Sequence, residues 1–157
     1  MPTLNHGIGR QAICDIVSRL DTATGEPLAI SLLVGTNDLH GLGRSRRVDD
    51  IAGQMRDLVA EIRRREPKAL LLINSVTPRS THFRERIVRL NEYYRHIAAA
   101  NDAQYLDLWR ALSGDDGAIL RRHTTDGLHL SAEGYKAWAD VLQPHLAPFA
   151  AHGSISQ

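Results

Sequence analysis

Two uninterrupted apolar segments constrain the fold of this chain more than any other feature of its sequence. Residues 28–34 (Leu-Ala-Ile-Ser-Leu-Leu-Val) lie between a proline and a glycine, and residues 69–76 (Ala-Leu-Leu-Leu-Ile-Asn-Ser-Val) end before Thr-Pro. Short apolar runs with β-branched members and turn-forming residues at their ends are typical of strands buried on both faces. Because such strands are characteristic of parallel sheets, the sequence predicts a parallel sheet.

Helical patterns separate the predicted strands. The strongest covers residues 48–65, where Ile51, Met55 and Leu58 fall on one face. Residues 1–10 are interpreted as the end of a strand that enters a Gly-rich turn, residues 39–47 as a loop, and residues 105–109 as a short third strand. The predicted helices are 11–20, 48–65, 83–100 and a final helix that begins at Ser131 and loses its pattern near Pro144 to Pro148.

Strands and helices alternate along the whole chain, which predicts an α/β fold: a three-layer α/β/α sandwich around a parallel sheet. We expect a single domain over residues 1–150, followed by a frayed tail at residues 151–157. In such sheets ligands bind beyond the carboxyl ends of the strands. Four segments are expected at that edge of the sheet: residues 7–9, 35–38, 76–78 and 126–129.

Composition excludes some classes of function. The 157 residues carry a net charge of +1, which gives no electrostatic basis for binding nucleic acid. Cys14 is the single cysteine, so neither an intramolecular disulfide nor a thiolate metal site is expected. No apolar run approaches the length of a membrane span, and the first residues lack a signal pattern. We therefore expect a cytoplasmic protein without metal or cofactor; a signal peptide upstream of Met1 stays open.

The segment Thr-Thr-Asp-Gly-Leu-His-Leu-Ser at 124–131 holds the clearest catalytic candidate. Asp126 and His129 lie three residues apart in a Gly-containing turn, just before a helix that Ser131 is expected to cap. A carboxylate this close can accept the Nδ1–H of the imidazole and leave Nε2 free as a general base. A polar turn with a satisfied histidine is the alternative interpretation.

A second candidate follows the first buried strand. The side-chain amide of Asn37, placed after Gly35, can donate a hydrogen bond to an oxyanion from a rigid base. Asn37 and Asp38 are also residues that commonly cap turns, so a structural role remains the alternative. The other histidines, His123 among them, are interpreted as surface or loop residues; His40 could line the pocket.

Taken together these segments resemble the SGNH (GDSL-type) esterase and lipase family. Val-Gly-Thr-Asn-Asp-Leu at 34–39 looks like its third block, Thr-Asp-Gly-Leu-His-Leu-Ser at 125–131 like its fifth, and Asn-His-Gly-Ile-Gly-Arg-Gln at 5–11 like its second. The resemblance covers residues 4 to 148. It implies a serine hydrolase of carboxylic esters that acts on a small molecule through an acyl-enzyme.

The resemblance also implies roles for individual residues. His129 would be the general base and later the acid, Asp126 would orient it, and Asn37 would be an oxyanion-hole donor. Arg10 takes the place of a glycine whose backbone N–H serves the oxyanion hole in the family. The pocket would be formed by Gly9, Gly35 and Asp38.

The family's first block, a strand that ends in Gly-Asp-Ser and supplies the nucleophile, has no counterpart in the chain. We therefore expect that the serine lies upstream of Met1 and that the sheet is missing its first strand, as in an N-terminally truncated sequence. Ser75, near the end of the second buried strand, is a remote candidate for a substitute nucleophile.

Two other functions remain open at this stage. A non-catalytic domain of the same fold could bind an acylated or sugar ligand without turnover. A flavodoxin-like nucleotide or flavin binder would need a phosphate-binding loop, for which Gly-Ile-Gly-Arg at 7–10 is a faint match.

Overall fold

Three parallel strands form the centre of the protein. In the computed structural model, which describes residues 3–22, 25–40 and 46–150, the strands are β1 (Ala29–Leu32), β2 (Leu70–Asn74) and β3 (Gln104–Leu106). Their order in the sheet is β1-β2-β3, with Ala29 beside Leu70 and Asn74 beside Leu106. The α/β fold with a parallel sheet is therefore confirmed, and β2 is its central strand among the described residues.

Helices cover both faces of this sheet. They are α1 (Ile13–Ser18), α2 (Thr36–His40), α3 (Val48–Arg65), α4 (Arg84–Ala100), α5 (Leu108–Leu112) and α6 (Ala132–Ala150). Short 3₁₀ turns occupy Leu20–Thr22, Thr81–Phe83 and Arg121–His123. Leu71 and Ile73 of β2 join the apolar cluster formed by α1, α3 and α4, and on the other face α6 reaches β2 through Trp138, whose Nε1–H donates to Asn74 Oδ1 over 3.0 Å.

Buried polar side chains fix the strands to their neighbours. The Asn74 amide donates to Ser31 Oγ and to the Leu32 carbonyl, each over 2.8 Å, which ties β2 to β1. Asn91 on α4 accepts from the Val76 N–H over 2.7 Å and donates back to the Val76 carbonyl. Each of these buried amides is thus satisfied at the carboxyl ends of the strands, which keeps the functional edge of the sheet rigid.

Several predicted boundaries are wrong, for local reasons. Residues 3–10 contain no strand; they form an irregular segment that ends in a turn at Gly9 and Arg10. The third strand stops at Leu106 because Asp107 caps α5 there: its side chain accepts from the Arg110 N–H, so residues 108–112 are helical. The start of the loop predicted at residues 39–47 is helical, since α2 extends to His40; residues 41–45 of that loop lie outside the described residues.

The last helix is longer than predicted. It continues through both Pro144 and Pro148 to residue 150. Both prolines are exposed, so water can reach the part of the helix where each removes a backbone donor. The tail predicted at residues 151–157 lies outside the described residues. None of the helices that the structure describes is long and apolar enough to span a lipid bilayer.

Candidate active site

The loop that carries Asp126 and His129 is held mainly by its own backbone. The His129 carbonyl accepts from the Thr125 N–H (3.1 Å) and from the Thr124 hydroxyl (2.7 Å), and the same hydroxyl accepts from the Gly127 N–H (2.9 Å). Gly127 has a φ of +83°, a left-handed conformation that suits glycine. These bonds, all between residues of the segment itself, fold residues 124–130 into a small closed loop.

The loop is anchored at its carboxyl end. Ser131 caps α6 as predicted, because its Oγ accepts from the Gly134 N–H over 3.2 Å, and its hydroxyl donates to the Arg122 carbonyl. Gly134 lies so close to the preceding turn that a Cβ there would be 2.3 Å from the His123 carbonyl oxygen. His123 is buried rather than exposed, with Nδ1 3.3 Å from the Leu112 carbonyl, which corrects its assignment to the surface.

Asp126 and His129 form a preassembled pair. Asp126 Oδ2 lies 2.7 Å from His129 Nδ1, while Oδ1 accepts from the backbone N–H groups of Leu128 (3.0 Å) and His129 (2.8 Å). These contacts, the imidazole first, lower the pKa of Asp126 from 3.8 to about 2. The carboxylate therefore stays ionised at neutral pH and can accept the hydrogen of Nδ1, which in a neutral imidazole makes Nε2 the acceptor. The two side chains are 51% and 73% exposed, so the pair is open to a reacting partner.

Asn37 lies in the first turn of α2, directly after the loop that leaves β1. Its side chain is half-buried, and its Nδ2 donates to the Gln11 carbonyl over 2.9 Å. An amide nitrogen carries two hydrogens, so one N–H remains for a second acceptor. The contact also brings the 8–11 turn beside Asn37, which places the two predicted oxyanion-hole segments next to each other. Its role as an oxyanion donor stays a prediction.

Gly35 and Asp38, which are predicted to form the pocket, are buried in the interior instead. Asp38 is 1% exposed, and both of its carboxylate oxygens face the Ile13 N–H at the start of α1, at 3.2 and 3.4 Å. Arg46 Nη1 lies 3.4 Å from the same carboxylate. Burial, the largest effect, raises the pKa of Asp38. Gly35 has a φ of +112°, and a Cβ there would lie 2.4 Å from the Tyr94 hydroxyl oxygen, which explains why a glycine is needed.

Arg10 adopts a left-handed backbone conformation, which favours glycine. Its φ is +68°, at the third position of a turn in which the Gln11 N–H reaches the Ile8 carbonyl at 3.5 Å. A left-handed third residue is the pattern of a type II turn, where glycine is preferred. The main chain thus follows the glycine-like course despite the side chain, and both Arg10 and Gly9 are exposed.

Ser75 has a structural role. It is 0% exposed, and its Oγ accepts from the backbone N–H groups of Leu108 (2.9 Å) and Trp109 (3.0 Å) at the start of α5. A hydroxyl that caps a helix in the interior is not within reach of a substrate or of the exposed His129. The structure therefore argues against the remote possibility that Ser75 is the nucleophile.

Sequence reasoning overlooked a groove beside the pair. Its volume is about 460 Å³, and Asp126, Gly127 and Ile119 line it together with Arg79, an arginine that follows β2. Arg79 is 8% exposed. Its position after a buried strand, at the functional edge of the sheet, was a signal that could have marked it as a candidate. Among the hydrogen bonds of the described residues, none joins Asn37 or Arg10 to the Asp126–His129 pair.

Fold and site together define a class: an α/β/α domain with an Asp–His pair and an asparagine at the carboxyl edge of a parallel sheet. The chain belongs to the GDSL-like Lipase/Acylhydrolase family, whose model matches residues 2–137. Its resemblance to SGNH hydrolases is thereby confirmed.

Among curated proteins the chain is similar to the alpha2 subunit of platelet-activating factor acetylhydrolase IB from rat and from human. Each is 27% identical to it over 139 residues, which is 84% of this chain and 58% of the relative. The chain thus spans less than two thirds of the length of these relatives.

Solved structures share the fold. A protein from Streptococcus pneumonia whose name links it to platelet activating factor superimposes with a TM-score of 0.81 at 26% identity, over 91% of this chain and 72% of that one. A GDSL-like lipase from Bacteroides thetaiotaomicron superimposes with a TM-score of 0.72, over 91% and 74% of the two chains. At 17% identity the latter shows the fold alone.

Proposed function

We propose that this protein hydrolyses carboxylic esters of small molecules through a serine acyl-enzyme, and that the serine comes from a segment upstream of residue 1. The observation that carries the proposal is the Asp126–His129 pair, with 2.7 Å between Oδ2 and Nδ1 and an ionised, doubly hydrogen-bonded carboxylate. In this arrangement Nε2 takes the hydroxyl proton as the serine attacks the ester carbonyl, and later returns a proton to the leaving alcohol. Membership of the GDSL-like family supports this chemistry.

Asn37 has the oxyanion-stabilising role in this mechanism. The N–H that Gln11 does not use would donate to the tetrahedral oxyanion, together with the backbone N–H of Arg10 in the neighbouring turn. The contact between Asn37 and Gln11 supports this assignment, since it keeps the amide at the turn. The left-handed backbone of Arg10 supports it too, because the main chain keeps a glycine-like course.

Two uncovered surfaces support an additional strand next to β1. Within the described residues β1 is paired only with β2, and Leu28 and Leu33 at its two ends are 54% and 37% exposed. Apolar residues of α6, such as Trp138 and Leu142, are only half-buried. An open strand edge and a partly covered apolar helix are each unfavourable in water, and a further strand at this edge would pair the backbone groups of β1.

The acyl group is proposed to be short. Support comes from the printed name of the curated relatives, which describes an acetylhydrolase. An acetyl or similarly small ester of a small alcohol, sugar or lysophospholipid fits this reading, and the mechanism described above needs no metal or cofactor.

Fluorophosphonate labelling tests the proposal, because the reagent reacts with serines activated by a general base. The chain would be expressed together with the residues encoded upstream in its reading frame, labelled, and mapped by peptide mass spectrometry. We expect one labelled serine in the upstream segment, with labelling abolished by His129→Ala. His96→Ala, which removes an exposed histidine from α4, is the matched control and should label normally.

Other results would count against the proposal in distinct ways. A labelled serine within residues 1–157 would place the nucleophile inside this chain. Labelling that survives His129→Ala would remove the histidine from the mechanism. A folded, extended protein with no label would favour the second function, a non-catalytic domain that binds an acylated or sugar ligand in the same crevice.

A further inference from the structure

Arg79 is a buried cation that has no acidic partner among the residues that the structure describes. It follows Pro78 just after β2 and is 8% exposed. In the described part of the chain no carboxylate lies within ion-pair distance of it, and its Nε finds no hydrogen-bond partner. Nη1 and Nη2 each lie 3.5 Å from His40 Nδ1, at the limit of a hydrogen bond.

Two other arginines that the structure describes have their own acceptors. Arg65 contacts the carboxylates of Glu61 and Asp21, and Arg63 donates to four backbone carbonyls at the end of α3 and its surroundings. Burying a cation costs free energy unless acceptors replace the water it loses. Arg79 is therefore an exception that calls for an acceptor from elsewhere.

The guanidinium of Arg79 is held in one orientation. Its Cζ lies 4.1 Å from the centroid of the Phe83 ring, a cation–π contact that fixes the plane and leaves its hydrogen-bonding edge free. A planar guanidinium held in this way is suited to binding a carboxylate or phosphate through two parallel hydrogen bonds. Burial lowers the pKa of Arg79, whereas the charge of Asp126 raises it, so a second anion nearby would also favour the charged form.

Arg79 lies in the same groove as one member of the candidate catalytic pair. Arg79 and Asp126 line the same groove of about 460 Å³, with Ala118 and Ile119 as an apolar wall. The carboxylate of Asp126 already has its own hydrogen-bond partners, because its oxygens contact His129 and two backbone N–H groups. An anion on a molecule bound in this groove would thus meet Arg79 beside the loop that carries Asp126 and His129.

We propose that Arg79 is a specificity-determining residue that binds an anionic group, a phosphate or a carboxylate, carried by the substrate in this groove. That the bound anion belongs to a substrate rests on the proposed ester hydrolysis. The binding itself does not depend on catalysis, so it can be tested on this chain alone.

The first experiment is calorimetric titration of the 157-residue chain with sn-glycerol 3-phosphate, with glycerate, and with glycerol as the neutral control. We expect one or both anions to bind and glycerol not to bind; the stronger of the two identifies the anionic group. Arg79→Gln should weaken anion binding about tenfold or more, and Arg79→Lys should retain part of it, because lysine keeps the charge but not the planar pair of donors. Arg56→Gln, which removes an exposed charge from α3, is the control and should bind like the wild type.

A structural role for Arg79 makes a different prediction. If the guanidinium only stabilised the fold, Arg79→Met would melt at a lower temperature; because the charge lacks a partner, we expect a melting temperature at or above that of the wild type. Should the variants fail to fold, the Nε–H signal of Arg79 in the wild-type chain still reports binding, and it should shift with glycerol phosphate or glycerate but not with glycerol.

Three results would overturn the proposal: no anion binding by the wild type at about 10 mM, equal binding by Arg79→Gln, or an Arg79 signal that does not respond while an anion binds elsewhere. If anions bind through Arg79 but the extended protein labels no serine, the hydrolase function fails and the anion site remains.

Discussion

The two halves of the candidate site are built in different ways. The Asp126–His129 half is local: the hydrogen bonds within its loop join residues no more than five positions apart, and the bond from Ser131 to Arg122 that anchors it spans nine. Both side chains are more than half exposed. The Asn37 half is assembled across the chain, since Asn37 contacts Gln11 and Asp38 contacts Ile13, 26 and 25 positions away. The geometry of the Asp126–His129 half is therefore expected to depend mainly on its own loop, whereas the position of Asn37 depends on the tertiary fold.

The largest effect expected on catalysis comes from the local half. In the extended protein, His129→Ala should lower kcat by several orders of magnitude, because it removes the group that accepts and returns the proton. Since the imidazole is 73% exposed, the free energy of unfolding should change by no more than about 0.5 kcal/mol. Kinetics and chemical denaturation measure the two effects. Near-normal turnover, or a large loss of stability, would contradict the view that the pair is catalytic and structurally independent.

Asn37→Ala tests the non-local half. Loss of a donor to the oxyanion should lower kcat about a hundredfold or more, roughly 2.7–4 kcal/mol of barrier, and largely spare KM. Unlike His129→Ala, it should also reduce the free energy of unfolding by about 1 kcal/mol, because the Gln11 carbonyl loses its donor. A change confined to KM would mean that Asn37 only binds substrate.

Gly134→Ala should disrupt the local half without touching Asn37. The new Cβ would lie 2.3 Å from the His123 carbonyl oxygen, so the loop and α6 must move apart. We expect a loss of about 1–3 kcal/mol in the free energy of unfolding. Gly53→Ala is the matched control in α3, where a Cβ meets nothing within 4 Å; it should stabilise the protein by about 0.5–1 kcal/mol. Equal effects of the two substitutions would show that the close approach at Gly134 is unimportant.

Arg10→Gly tests the turn that lies beside Asn37 in the non-local half. A left-handed arginine is strained, so glycine should stabilise the protein by about 0.5–1 kcal/mol after its own entropic cost. Because the backbone N–H is retained, kcat should change little. Glu26→Gly, at a φ of +52° far along the chain from the turn, is a control for the strain alone. A large fall in kcat for Arg10→Gly would show that the arginine side chain itself takes part.

The difference between local and long-range contacts also explains which features could be predicted from the sequence. Residues 48–65 were predicted as a helix and α3 has those bounds, because strong amphipathic periodicity is a local signal. The Ser131 cap is likewise a short-range feature, and it is confirmed. The contacts of Ser75 with the first N–H groups of α5 join residues 33 and 34 positions apart, so no local pattern reveals that this serine has a structural role.

Arg79 was missed for a related reason. Its significance lies in the absence of an acidic partner among the described residues and in its stacking on Phe83, neither of which can be read from the letters of the sequence. Asp38 shows the opposite case: the family resemblance predicts it as a pocket residue, but its side chain is buried against Ile13, whereas that of the neighbouring Asn37 contacts Gln11. Position at a sheet edge is predictable from pattern, whereas the direction of a side chain depends on the tertiary fold.

The smallest effect concerns pH. The folded-state pKa of Asp126 lies below its ordinary value, at about 2 against 3.8. Its ionised form therefore stabilises the fold at any pH above about 4, and this contribution is lost as the pH falls toward about 2. Urea denaturation of the wild type and of Asp126→Asn should show a difference in stability at about pH 6 that shrinks at about pH 2.5. Asp57→Asn, at an exposed position of α3, corrects for general acid destabilisation. A difference that stays constant over this range would mean that the local half of the site does not hold its carboxylate in the ionised form.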